Sequence, residues 1–301
     1  MGVIAIIAAL VLEQWRPLAE RRNLAAALDA TAAWLEQSFN AGERRQGIVA
    51  WLIAVAPAVL LSAALYALFY SLHPLLGLAF NVGALYLTLG FRQFSHHFTG
   101  IQLAIKSGDI EAARTQLEAW RGASGVVRTR EEVIRLAIEE ALVASHRHVF
   151  GVLLWFMLLP GPSGAILYRL ADYFAARWEP LHGFGEFAQR VFYFLDWPAV
   201  RLTAASFAVV GDFEDAVYCW RTQARTWLDQ NRGVVLAAGA GAMGVRLGMP
   251  VQEIEGADPR PELGVGEPAD GPFLDSAVGL VWRALVVWVF ALGVISVARL
   301  L

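Results

Sequence analysis

Apolar positions in this chain come in long runs, not in strict alternation. Residues 48–70 read IVAWLIAVAPAVLLSAALYALFY and hold no charged side chain. A helix rises about 1.5 Å per residue, so roughly 20 apolar residues cross a hydrocarbon core about 30 Å thick. This run predicts a membrane-spanning helix. Pro57 does not disqualify it, because neighbouring helices can satisfy the backbone groups a proline frees. Residues 75–91 form the next apolar run, and the Ser71-Leu72-His73-Pro74 connector makes the two a helical hairpin.

Other apolar stretches recur along the whole chain. Residues 3–12 are a short one. Residues 149–171 are interrupted by Pro160-Gly161-Pro162-Ser163-Gly164, which predicts two half-helices of about ten residues each; such breaks survive at membrane depth only when covered by protein or lining a cavity. Residues 198–211 are short and include Arg201. Residues 234–248 are rich in Gly and Ala, so neighbouring helices can approach closely there. The last stretch is 284–301.

Between Ser95 and His148 the period changes. Leu103, Ile110, Leu117 and Trp120 mark one amphipathic helix; Val133, Ile134, Ile138 and Leu142 mark another, which begins near Thr129 with Glu131 and Glu132 in its first turn. Residues 92–148 are therefore expected as a cytoplasmic helical segment. Residues 251–272, rich in Pro, Gly and acids, are expected as a flexible surface loop. The reading is an all-α polytopic helical membrane protein over residues 1–301, a single membrane domain. It has about five to seven membrane segments, one or more of them broken or reentrant.

Composition supports this: 57% of residues are hydrophobic and 17% charged, against about 25% charged in an average soluble domain. A net charge of -3 without a basic cluster argues against nucleic acid as a partner. The single cysteine, Cys219, excludes an internal disulfide and a cysteine zinc site. The first apolar run lacks a preceding basic residue and a small-residue cleavage site, so it reads as a retained membrane segment. His146 and His148 are two apart and diverge by about 200° on a helix. With His96 and His97 they are expected as polar interfacial residues, and neither a metal nor a cofactor is expected. Trp178, Trp197, Trp220, Trp227, Trp282 and Trp288 are expected as interfacial anchors.

Several features together resemble a known family. They are the opening apolar run followed by Glu13, the Glu140-to-Trp178 region around the broken helix, LDWPAVRL at 195–202, and FAVVGDFEDAVYCW at 207–220. The chain resembles the CobD/CbiB membrane proteins, amide-forming synthases that attach an aminopropanol arm to the corrin ring. It looks closer still to AmpE, a related inner-membrane protein associated with β-lactamase induction. The synthases' acidic motifs fall here on Ala144, His148, Phe192, Tyr193 and Leu236, none of them acidic. An amide synthase needs fixed acids to hold Mg²⁺ or act as a base. The resemblance therefore implies an AmpE-like sensor or accessory protein without synthase chemistry, tied to cell-wall recycling. The alternative it implies is a divergent adenosylcobinamide-phosphate synthase.

The pocket candidates are Glu140, Tyr168, Asp172, Arg190, Asp196, Arg201 and Asn231. A charge such as Arg201 inside an apolar run costs about 2.5–3.5 kcal/mol on insertion scales unless paired. It is expected either in a buried ion pair or on a small anionic ligand. The expected partners are the lipid bilayer and that ligand, in a bacterial inner membrane.

Arginines set the orientation. Arg16, Arg21, Arg22, Arg44 and Arg45 follow the first run, and Arg92, Lys106, Arg114, Arg121, Arg128, Arg130, Arg135 and Arg147 follow the third, whereas the 71–74 connector has none. The positive-inside rule places both basic segments in the cytoplasm, and the connector and N-terminus in the periplasm. In a Cys219→Ser background, an impermeant maleimide should label Ser71→Cys in intact cells but Ser107→Cys only after permeabilisation. The opposite pattern refutes this orientation.

Overall fold

A computed structural model describes residues 2–15, 21–122, 129–250 and 260–298. Those residues are helical nearly throughout, as an all-α membrane protein requires. They divide into two compact units. The first comprises residues 1–90, 147–198 and 292–301; the second comprises 91–146 and 199–291.

The first unit contains α1 (Gly2–Trp15), α2 (Arg21–Phe39), α3 (Arg44–Leu72) and α4 (Pro74–Thr88). Helix α4 packs against both α1 and α3. The α3–α4 connection is tighter than the sequence suggests, because α3 continues through Ser71 and Leu72 and only His73 separates the helices. Its extended backbone turns the chain, its Nδ1 accepts the Leu75 N–H at 3.2 Å, and Pro74 opens α4 where no backbone donor is needed. Among the described residues, helix α3 is one of three stretches long and apolar enough to cross a membrane, the others being Arg130–Leu158 and Gly271–Ser296. It leaves Leu52, Ile53, Leu60, Leu61 and Leu68 exposed. In water such a face would be costly; in lipid it is solvated.

The second unit begins with α5 (Phe91–Ser107), α6 (Ile110–Arg121) and α7 (Arg130–Ser145), three helices in mutual contact. Asp109 caps α6 by accepting the Ala112 N–H at 3.0 Å. Thr129 and Glu132 cap α7 reciprocally. Helix α7 does not end where an amphipathic segment beside the membrane would. It runs through a π turn, His146–Phe150, into α8 (Gly151–Leu158). Arg130–Leu158 is thus one long apolar stretch whose first half the sequence reads as cytoplasmic.

The interruption at Pro160–Pro162 separates α8 from α9 (Ser163–Arg177) as the sequence predicts, with Gly161 at φ +59°. The two half-helices touch closely because two positions lack a Cβ. At Gly151 a methyl would stand 2.3 Å from the Tyr168 ring, and at Gly164 it would stand 1.9 Å from the Trp155 carbonyl oxygen. Next comes α10 (His182–Val210), a continuous helix that contains Pro198. The apolar stretch at 198–211 is therefore the second half of a longer element.

Helices α11 (Phe213–Thr222) and α12 (Gln230–Met243) pair in the second unit. The expected close approach of the small residues is present. A Cβ at Gly241 would lie 2.4 Å from the Asp215 carbonyl oxygen, and α12 is buried along nearly its whole length. Two short strands, β1 (Val245–Arg246) and β2 (Glu267–Pro268), pair in parallel, and α13 (Gly271–Ala298) follows. Of the segment expected as a flexible loop, 251–259 lies outside the described residues. The rest is anchored: Leu263 is fully buried and bridges Leu247, and Gln223 exchanges hydrogen bonds with the Gly264 backbone. Composition does not show these anchors, because each depends on a partner distant in the sequence, Leu247 or Gln223.

Three tryptophans expected at the interface are interior. Trp178 is fully buried and donates its indole N–H to Glu36 at 3.1 Å, while Trp227 and Trp288 are buried too. Trp197 and Trp282 remain exposed.

Gly164→Ala should destabilise the protein by about 1–3 kcal/mol, the usual cost of overpacking against backbone that cannot move aside. Gly279→Ala, which meets nothing within 4 Å, should melt with the parent. Thermal unfolding in detergent compares them. A Gly164→Ala protein as stable as the parent refutes the close approach of α8 and α9.

Candidate functional site

In the first unit, polar side chains gather where the π turn, α9 and α10 meet. Tyr168 of α9 is fully buried and donates its phenol to Asp196 Oδ1 of α10 at 2.7 Å; Asp196 is itself buried. One turn beyond Tyr168, Asp172 accepts from Arg169 Nη1 at 3.3 Å and lies 3.8 Å from Arg147 Nη1. The Arg147 guanidinium also sits over the Phe192 ring, 5.4 Å from its centroid, and Phe192 in turn packs on Tyr168. Trp155 holds α8 to α10 by donating to the Leu195 carbonyl at 3.0 Å.

The π turn brings Arg147 into this network. An extra residue per turn shifts the faces of the following side chains, and such turns recur at functional sites. Of the neighbouring histidines, His146 is buried in the second unit, 2.9 Å from Thr203 Oγ1, and the His148 carbonyl accepts the Gly90 N–H. Among the described residues no group of three or more His, Cys, Asp or Glu side chains is arranged to hold a metal ion.

The second unit holds another cluster. Glu139 of α7, 1% exposed on its side chain, accepts Arg260 Nη2 at 2.5 Å and the Gly248 N–H at 2.9 Å. The neighbouring Glu140 lies 3.6 Å from Arg232 of α12. Asn231 is buried beside Arg232, and Asp229 caps both backbone N–H groups. Arg260 stacks over Trp227 at 5.3 Å. Burial holds the Arg121 guanidinium below its ordinary pKa; Glu140 and Glu139 draw it up, whereas Arg260 and Arg232 push it down.

The structure therefore unites Tyr168, Asp172 and Asp196, and separately places Glu140 beside Asn231 and Arg232. It leaves two expected residues elsewhere. Arg190 is half-exposed and pairs with Glu186 at 2.6 Å, an ordinary i,i+4 surface pair worth little. Arg201 is half-buried on α10 and engaged with its own surroundings. Arg147, Arg169, Glu139, Arg232 and Arg260 escape the sequence reading. The i,i+3 spacing of Arg169 and Asp172 was a usable signal; nothing local marks Arg260.

The positions that seemed to have lost acids have other tasks. Phe192 is the platform under Arg147, and Leu236 is fully buried in α12. Carboxylates are present, but they stand at Asp172, Asp196, Glu139 and Glu140.

A family model described as CobD/CbiB protein matches residues 6–281. A protein of Stutzerimonas stutzeri named "Cobalamin biosynthesis protein CobD" is 34% identical over 297 residues, 96% of either chain. One of the same name from Chromobacterium violaceum is 37% identical over 81% of this chain and 78% of its own. One from Leptospira interrogans is 23% identical over 59% of each. No solved structure matches. These relatives overturn the expectation of an AmpE-like sensor linked to β-lactamase induction. That expectation rested on acids missing at particular positions, and acids at other positions form compact networks. The chain belongs to the CobD/CbiB family of membrane proteins.

Proposed function

We propose that this chain is a multi-pass inner-membrane synthase of cobalamin biosynthesis, joining an amine arm to a corrinoid carboxyl through an amide bond. The observation that carries the reading is 34% identity, over 96% of both chains, to a protein named for cobalamin biosynthesis. The basic segments after the first and third apolar runs face the cytoplasm in this reading.

The first unit's network suits acyl transfer. With the carboxyl activated as an acyl phosphate by a nucleoside triphosphate, the free-base amine forms the C–N bond as the C–O bond breaks and phosphate leaves, and a carboxylate must take the amine's proton. Asp172 is the candidate, with 14% of its side chain exposed and guanidiniums on two sides. Arg147 and Arg169 are placed to offset negative charge on the oxygen of the tetrahedral intermediate. Asp196, held by the Tyr168 phenol, fixes α9 against α10 so that Asp172 keeps its place.

The gene should restore corrinoid-dependent growth to a bacterial strain lacking its own synthase. Asp172→Asn should lower product formation by two to four powers of ten, the usual cost of a lost proton-transfer group, while the protein reaches the membrane at parental abundance. Arg190→Gln should complement as the parent does. A parental protein that accumulates in the membrane without restoring growth defeats the proposal.

A further inference from the structure

Helix α13 has two unlike sides. It buries Leu274, Ala277, Leu280, Val281 and Ala284, and it exposes Val278, Trp282, Val286 and Phe290. Arg283 stands exposed among the latter. Its Nε donates to the Gly279 carbonyl one turn back at 3.2 Å, and among the described residues it forms no ion pair. Asp275, the acid two turns earlier, is already engaged: it accepts from Gln102 Nε2 at 2.7 Å and from Lys106 Nζ at 3.1 Å. The charge of Arg283 is thus left for whatever lies against the outer side of the helix.

The sequence sets the depth of that charge. Residues 284–298, just beyond Arg283, carry no charged side chain. At about 1.5 Å per residue they run roughly 22 Å, less than a hydrocarbon core of about 30 Å. Arg283 therefore stands at the boundary of the core, with its stem in hydrocarbon and its guanidinium at headgroup level. Trp282 beside it is exposed in the layer that tryptophan favours. The hydrogen bond to Gly279 draws the Arg283 side chain toward the start of α13, away from the core. Gly279 leaves room there, since a Cβ at that position would meet nothing within 4 Å.

Chemistry then selects the occupant. With Nε held by the backbone, both Nη groups keep their donors, and a guanidinium's planar fork matches the oxygens of a phosphate in spacing and charge. Phosphatidylcholine offers a phosphate with its own quaternary ammonium tethered beside it, which competes with Arg283. Phosphatidylglycerol carries no such cation. We infer that Arg283, with Trp282 and the gap over Gly279, seats the phosphate of an anionic phospholipid against the outer side of α13. The inference does not rest on the synthase reading, because lipid contact is measured without turnover.

The full chain would carry a bimane label on Val286→Cys, one turn from Arg283, in a Cys219→Ser background. Cys219 is fully buried, so the native cysteine can stay where that background fails to fold. Reconstituted protein would be quenched with brominated phosphatidylglycerol or brominated phosphatidylcholine mixed into the unbrominated lipid. The first should show an apparent binding constant about fivefold that of the second, the ratio that one cation near a bilayer surface supports. The preference should vanish in Arg283→Gln, whose exposed position leaves the fold intact, and a label on Val294→Cys should show none. That pattern supports the site. Equal quenching by the two lipids in the parent, or a preference that Arg283→Gln retains, overturns the inference. Quenching by neither lipid at Val286→Cys shows that protein, such as a second copy of this chain, covers the face, and overturns it too.

Discussion

A carboxylate inside an apolar helical bundle has to meet a positive charge or a strong donor, and this requirement organises the whole molecule. Removing an ion from water costs several kcal/mol even after relaxation, and breaking one side of a buried pair typically costs 3–5 kcal/mol. Among the described residues, four buried or half-buried acids are answered in this way. Glu139 has Arg260 and a backbone N–H, Asp196 has the Tyr168 phenol, Asp172 has Arg169 with Arg147 behind it, and Glu36 has Arg177 and the Trp178 indole. Each pairing joins different helices or a helix to a loop, except for Arg169 with Asp172 on α9. The interactions that keep charge tolerable in this environment are also those that hold the elements in register.

Two departures from regular helix make the first unit's network possible. The break at Pro160–Pro162 lets α8 and α9 fold against each other, and Gly151 and Gly164 let them come close enough to bury Tyr168. The π turn at His146–Phe150 then brings Arg147 onto Phe192 and toward Asp172. A continuous α-helix through either place would separate these side chains. Helix irregularity here costs backbone hydrogen bonds and is offset by the polar contacts it allows.

The error about missing acids has a physical explanation. A carboxylate's chemistry depends on where its oxygens lie, and side chains from adjacent turns or facing helices can reach the same volume. Ala144, Phe192 and Leu236 lack carboxylates, yet Asp172 and Asp196 reach one network and Glu139 and Glu140 another. Position-by-position matching is blind to such relocation. Glu140, Tyr168, Asp172 and Asp196 were legible as polar residues in apolar context. Their arginine partners were not, because arginine is common at helix ends and only proximity distinguishes a partner from a solvated side chain.

By itself, the chain's pattern determined its class: long uncharged runs demand lipid or a buried core, the Pro160–Pro162 interruption demands two half-helices, and the Gly-rich 234–248 stretch demands close helix packing. These are local consequences of hydrophobicity, proline's missing donor and glycine's missing side chain. Only the tertiary structure decided which charges pair. It put Trp178 in the interior on Glu36, sent Arg190 to the surface, carried α7 through a π turn into α8, and brought Arg260 across 121 residues of chain to Glu139. Pairing over such separations depends on the path of the backbone, and no local preference in the sequence encodes it.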